Sequence, residues 1–193
     1  MQKGYSLIMI IKEQRIKGVY KIQLEPHRDE RGFFVRNFAK EELEKAGIKY
    51  DIVHINRSLS KIKGTTRGLH YQQAPKGEDK MLQCLRGRIF WVVVDLRKDS
   101  ETYGQWLSFE LNPEKMSMVI CPKGCANGIQ TLEPDSELQY FVTEYYSPEH
   151  ERGVRWNDPY FGIQWPFTTP AVISDKDANW PLMEKGNLPT VEP

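Results

Sequence analysis

Residues Arg88–Leu96 read Arg-Ile-Phe-Trp-Val-Val-Val-Asp-Leu. Such a run favours a pleated sheet, where β-branched and aromatic side chains pack well, over a helix, where they lose rotamer freedom. Shorter segments of similar character stand around it, broken by Gly, Pro, Asn and Asp. Val19–Gln23, Phe33–Asn37, Tyr50–Leu59, Gln105–Leu111, Met116–Cys121 and Glu137–Tyr145 all read as strands. In Gln105–Leu111 the alternation is clean, with Trp106, Ser108 and Glu110 set against Leu107, Phe109 and Leu111. Only Ala39–Ala46 reads as a helix, with Gly47 placed to end it. Many short strands with so little helix predict an all-β sandwich or barrel.

A chain of 193 residues can bury an adequate core as one domain, 1–193. Leu7–Ile11 reads as a first strand and is too short for a signal-peptide core or a membrane span. Met9 lies inside it, so residues 1–8 are expected to be an N-terminal extension or the product of an upstream start codon. The tail from about 166 to 193, rich in Pro, Asp and Asn, is expected to wrap the body as loops and short helical turns. Lys and Arg total 27 against 26 Asp and Glu, which gives no general attraction to nucleic acid or to an anionic membrane. Any anionic ligand must therefore meet a local basic cluster. The three cysteines, Cys84, Cys121 and Cys125, make no disulfide framework; they suit a reducing cytoplasm and read as small apolar core residues.

Several chemistries lack their usual supports. No two glycines are separated by a single residue, so there is no GxGxxG loop, and neither a P-loop nor a GxSxG elbow is present. The four histidines, His27, His54, His70 and His150, form neither HxH nor HExxH, so no metal centre is expected. On local sequence alone, His70 reads as a half-buried imidazole bonding a backbone carbonyl. Arg67 and His70 are three apart, which puts them on opposite faces of a strand unless Gly68 supplies a bulge. A nearby cation such as Arg67 disfavours the protonated imidazole and would keep it basic.

Short stretches in a fixed order carry a stronger signal. They include Arg28-Asp29-Glu30-Arg31-Gly32-Phe33-Phe34, Arg67-Gly68-Leu69-His70-Tyr71-Gln72 and Val93-Val94-Asp95-Leu96-Arg97-Lys98-Asp99-Ser100. Tyr103-Gly104-Gln105-Trp106, Pro122-Lys123-Gly124, Tyr145-Tyr146-Ser147-Pro148, Trp156-Asn157-Asp158 and Ile173-Ser174-Asp175-Lys176-Asp177 follow. Together they resemble the dTDP-4-dehydrorhamnose 3,5-epimerase family over nearly the full length. The resemblance implies a cupin-type jelly roll (double-stranded β-helix) with a few short helices, usually a homodimer, acting on a nucleotide-diphospho sugar without a cofactor.

Epimerisation beside a ketone needs a base, positive charge or donors for the enolate oxygen, and an acid on the opposite face. The resemblance implies that His70 is the base, Asp177 its carboxylate partner, Lys80 the enolate-stabilising cation and Tyr140 the acid. It implies that Tyr146 packs on the nucleotide and that Arg31 and Arg67 lie near it and its diphosphate, where guanidinium forks suit phosphate oxygens. Phe34, Gln72 and Asn56 retain family residue types and join the expected substrate-binding set. Outside the pattern, Lys80 and Asp177 would read as surface charges and Tyr140 as core.

Three positions depart from the family. Asn127 stands where a second active-site His is usual; an amide can hold a ketone or hydroxyl but cannot carry a proton near neutral pH. His54 replaces a Gln near the nucleotide and Arg36 replaces a Glu, so at Arg36 an acceptor has become a permanent donor and the base edge that is satisfied should change. Inversion at C3, at C5 or at both therefore stays open, as does dTDP against CDP or another nucleotide. A non-catalytic sugar-nucleotide binding module and a keto-isomerase are the alternatives.

Overall fold

The structure, a computed structural model, describes residues 9–183. The expected extension at 1–8 and the end of the tail, 184–193, lie outside the described residues. One sheet has six strands in the order β1 (Met9–Glu13), β2 (Tyr20–Leu24), β10 (Ser117–Cys121), β7 (Lys80–Arg86), β12 (Ser136–Val142) and β5 (His54–Ser60). The other has five, ordered β13 (Glu151–Gly153), β6 (Thr66–Gln72), β11 (Cys125–Thr131), β8 (Ile89–Asp95) and β9 (Trp106–Leu111). All pairings within both sheets are antiparallel. A separate hairpin pairs β3 (His27–Asp29) with β4 (Gly32–Phe34). Two facing antiparallel sheets, connected by strands that cross between them, make this a jelly roll of the cupin type.

The alternation of each strand decides what fills each layer. Trp91, Val93, Leu82, Leu138, Ile129 and Val119 meet between the sheets in the central core. Their sequence neighbours face outward and are buried a second time. Met81, Met118, Ile120 and Phe141 pack under α1 (Lys40–Lys45) through Leu43, while Val92, Val94 and Leu69 are covered by Trp156, Phe161 and Trp165. That double burial explains why β8 reads as an unbroken apolar run. The helix is one residue shorter at each end than expected. Gly47, at φ +77°, closes it, with Ile48 N–H donating to Leu43 O at 2.8 Å.

The strand boundaries correct the sequence reading in places. Phe33–Asn37 ends at Phe34, Tyr50–Leu59 begins only at His54, and Glu137–Tyr145 ends at Val142. Strands β3, β6 and β13 were not expected, and neither were β7 and β11. Both interrupt their apolar runs with Lys80 and Gln83, or with Asn127, Gly128 and Gln130, and these polar and small residues hide the period of two. The described part of the tail lies against the body. Val172 bridges Thr65 in parallel, Ala171 N–H donates to Gly64 O at 3.0 Å, and the short helix α2 (Asp175–Ala178) docks against β6.

Candidate active site

The central core fills only one end of the sandwich; at the other end the facing strands turn polar residues inward. On β6 and β11 the register runs Asn127↔His70 and then Ile129↔Arg67. Three steps on one strand thus oppose two on the other, the bulge that the Arg67–His70 spacing required. Gly68 makes it feasible: its φ is +106°, and a Cβ there would lie 2.7 Å from Asn127 O and Gly128 Cα. As a result Arg67 and His70 line the same cavity. Across the gap, β12 pairs Val142 with Lys80 and Tyr140 with Leu82, which aims Lys80 and Tyr140 inward with Leu82. On β5, Asn56 stands beside Tyr140 and Ser58 beside Leu138.

The resulting cleft has two lobes of about 430 and 510 Å³, and His70, Lys80 and Tyr140 line both. Arg67, Asn127, Lys176 and Asp177 belong to the first lobe; His54, Asn56, Gln72, Glu78, Tyr146 and Glu151 belong to the second. Volumes of this size suit a small-molecule ligand.

His70 and Asp177 form the best-defined pair. Asp177 Oδ1 lies 2.6 Å from His70 Nε2, and Oδ2 accepts from Gly68 N–H at 3.0 Å. The carboxylate is 4% exposed and is seated by α2, whose N-terminal Ser174 Oγ accepts from Asp177 N–H at 3.1 Å. Burial pushes the Asp177 carboxyl up, but the bond and charge of His70 and the Gly68 N–H outweigh it and hold it below its ordinary range. An ionised carboxylate accepts only, so Nε2 carries the hydrogen and Nδ1 keeps the lone pair. Trp180 sets its ring edge against the imidazole, with centroids 6.4 Å apart.

Asn127 sits opposite His70 and is buried, with its amide already engaged: Nδ2 donates to His70 O at 3.3 Å, and Oδ1 accepts from Trp91 Nε1 at 3.5 Å. Gln72 serves the frame of the second lobe. Its Nε2 donates to Lys76 O and Tyr145 O at 2.9 and 3.2 Å, and its Oε1 accepts from Ser147 N–H at 2.6 Å. The side chain expected to touch substrate is thereby occupied in shaping the loop that presents Tyr146. His54 packs edge-on against Tyr145.

Three expected site residues stay outside the cleft of their own chain. Arg31 pairs with Asp29 on the β3–β4 hairpin with its side chain 84% exposed, Phe34 is 61% exposed, and Arg36 lies 3.7 Å from Glu41. Conversely, Ser58, Glu78, Glu151 and Lys176 line the cleft without having been singled out. Glu151 accepts from Tyr146 Oη at 2.7 Å and from Lys176 Nζ at 2.8 Å. Burial raises its carboxyl, and these two partners more than reverse that. Ser58 and Glu78 had a legible signal, since each stands two residues from an expected site residue and so shares its face on an extended chain. Among the described residues no group of three or more His, Cys, Asp or Glu is placed to hold a metal, and no helix is long and apolar enough to cross a membrane. All three cysteines are buried and free, as expected of core residues.

In sequence and fold the chain is similar to known nucleotide-sugar epimerases. The sequence profile of dTDP-4-dehydrorhamnose 3,5-epimerase matches residues 13–185. The dTDP-4-dehydrorhamnose 3,5-epimerase of Sinorhizobium fredii is 43% identical over 155 residues, 80% of each chain. The crystal structure of the Bacillus anthracis enzyme of that name, with TDP and PPi bound, superposes with a TM-score of 0.89 at 40% identity, covering 91% of this chain and all of that one. A 3'-monoepimerase from Streptomyces bikiniensis in complex with dTDP-quinovose superposes with a TM-score of 0.84 at 32% identity, covering 92% and 91%.

Proposed function

This chain belongs to the dTDP-4-dehydrorhamnose 3,5-epimerase family, and from its Asn127 we propose that it inverts one carbon, C3 or C5, beside the ketone of its sugar. It is an isomerase-class enzyme, an epimerase of a dTDP-4-keto-6-deoxy sugar. The support for the proposed roles is geometric: His70 and Tyr140 come from opposite sheets, and both line both lobes together with Lys80.

His70 Nδ1 takes the proton from the carbon next to C4, and the C–H electron pair moves into an enolate whose oxygen faces the Lys80 ammonium. Asp177 holds the imidazole in that tautomer and stabilises the imidazolium that forms. Tyr140 then delivers its hydroxyl proton to the opposite face, the ketone re-forms, and exchange with water restores His70 and Tyr140. Arg67 is the permanent cation available to the diphosphate, and Tyr146, beside His54 and Asn56, offers a ring face to the base.

Inversion at one carbon follows from Asn127. Its amide cannot shuttle a proton, and both ends are tied to Trp91 and His70. A 3'-monoepimerase shares the fold, so the same scaffold supports single inversion. A homodimer accounts for the outlying residues: the β3–β4 hairpin would bring Arg31, Phe34 and Arg36 to the nucleotide end of a second copy. The exposed side chains of Phe33 and Phe34, 57% and 61%, suit that burial.

The test is incubation with dTDP- and CDP-linked 4-keto-6-deoxyglucose in deuterated water, following H3 and H5 by NMR. Exchange at one carbon is expected. Exchange at both refutes single inversion, a keto group appearing at C3 indicates an isomerase, and binding without exchange leaves only a binding module. His70→Ala should abolish exchange while retaining nucleotide binding.

A further inference from the structure

The second lobe holds a carboxylate that the proposed chemistry does not use. Glu78 Oε1 lies 2.8 Å from Lys80 Nζ, and the two side chains are only 9% and 18% exposed. Both line the lobe that also contains His70 and Tyr140. The residue between them is fixed independently. Asp79 Oδ1 accepts from Lys123 N–H at 2.8 Å, and Asp79 N–H donates to Thr143 Oγ1 at 2.9 Å. Thr143 N–H returns a bond to Asp79 O at 3.2 Å. The backbone leading into β7 is therefore clamped on both sides while its two flanking side chains meet over the cleft.

We infer that Glu78 is a positioning residue for Lys80, holding the ammonium at the junction of the two lobes where the enolate oxygen must form. The inference rests on the proposed role of Lys80 as the enolate's cation. A lysine has four rotatable stem bonds and a strongly hydrated head, so its ammonium tends to swing towards water unless something holds it. One of its three donors is engaged by Glu78, and two remain for the ketone oxygen and a neighbouring acceptor. Stabilisation of developing charge depends on donors that need not reorganise during the reaction, and a fixed ammonium meets that condition.

The experiment compares Glu78→Gln, Lys80→Ala and the double variant, reading kcat and KM for deuterium incorporation. Glutamine keeps the shape but loses the charge that grips Nζ. The expected result is a kcat lower by on the order of 10- to 100-fold, the scale of a misplaced catalytic group, with KM and melting temperature nearly unchanged. The double variant should be no slower than Lys80→Ala alone, because a residue acting through Lys80 has nothing left to position. Unchanged or faster turnover in Glu78→Gln, or additive losses in the double variant, overturns the inference. A second readout is independent of turnover. The Lys80 ammonium signal in a 15N NMR spectrum, assigned by its absence from Lys80→Arg, should broaden or vanish in Glu78→Gln. If it persists unchanged, positioning fails even where catalysis is as proposed; if wild type shows no exchange but the signal responds, the catalytic reading fails and positioning stands.

Discussion

Replacing Asp177 by Asn tests the base and its support with little change in volume. The wild-type carboxylate receives His70 Nε2 at 2.6 Å and Gly68 N–H at 3.0 Å through separate oxygens. An amide has only one oxygen for those two donors. If the oxygen stays with Gly68, the NH2 group meets Nε2 and drives the ring hydrogen to Nδ1, which removes the basic lone pair from the cleft. If it turns to His70, Gly68 loses its acceptor. Either way the imidazolium formed on proton abstraction loses its counter-charge. A hydrogen bond to a charged group contributes about 1.5–3 kcal/mol net. At about 1.4 kcal/mol per tenfold, that loss predicts a kcat lower by about 10- to 150-fold. KM should change little, because both carboxylate oxygens are engaged by the protein itself. Deuterium incorporation followed by NMR separates the two constants, and a kcat within about twofold of wild type would refute the assignment of Asp177. The pH dependence has a defined sign. Because the folded carboxyl is held below its ordinary value of 3.8, its contribution to stability is fully present above that pH and fades as pH falls through the lowered value. Asp177→Asn should therefore flatten the stability curve below about pH 4.

Three further perturbations probe the frame. Asp95 is fully buried, and Arg97, Ser100 and Thr102 overcome the burial penalty to bring its carboxyl down from 3.8 to about 2. Asp95→Asn should cost on the order of 2–3 kcal/mol in urea melts at pH 7, with the gap closing as pH falls from 3.8 towards 2; a gap independent of pH would exclude that linkage. Gly68→Ala should lower stability by about 1–3 kcal/mol, since β6 and β11 must separate to admit the methyl, and should slow exchange by moving His70. Melting and turnover unaffected by that substitution would mean the bulge is not needed. Gln72→Ala should destabilise by about 1–3 kcal/mol and raise KM more than it lowers kcat, because the loop carrying Tyr146 loses two hydrogen bonds and Lys76 O a third; a kcat effect alone would contradict this.

The layered β architecture could be read in Arg88–Leu96 and in the alternation of Gln105–Leu111, because those strands obey one local rule along their length. Strands β7 and β11 could not. Lys80, Asn127 and Gly128 serve the cleft and break the apolar pattern that would have announced a strand. Of the cleft, His70, Asp177, Lys80 and Tyr140 were singled out only through motif resemblance, since the pairing of residues 107 positions apart has no local trace. The sequence shows Arg31, Phe34 and Arg36 equally well. Their position on or just after a hairpin outside their own cleft depends on chain topology, which local motifs do not encode. Glu78 was legible only through its spacing from Lys80, while Lys176 is an ordinary charge by composition that only its neighbours in space distinguish.

The register of β7 and β12 also limits how such an enzyme can change over time. Along these strands each inward cleft residue alternates with an outward one buried under α1: Lys80 with Met81, Tyr140 with Phe141. Inserting or deleting one residue would exchange the two sets, putting methionine where the ammonium belongs and a charge into an oily layer. Swapping one side chain for another leaves that register intact. Variation in length is confined to the connections, such as the stretch bearing Tyr145 and Tyr146, where a different nucleotide could be accommodated without disturbing the reaction.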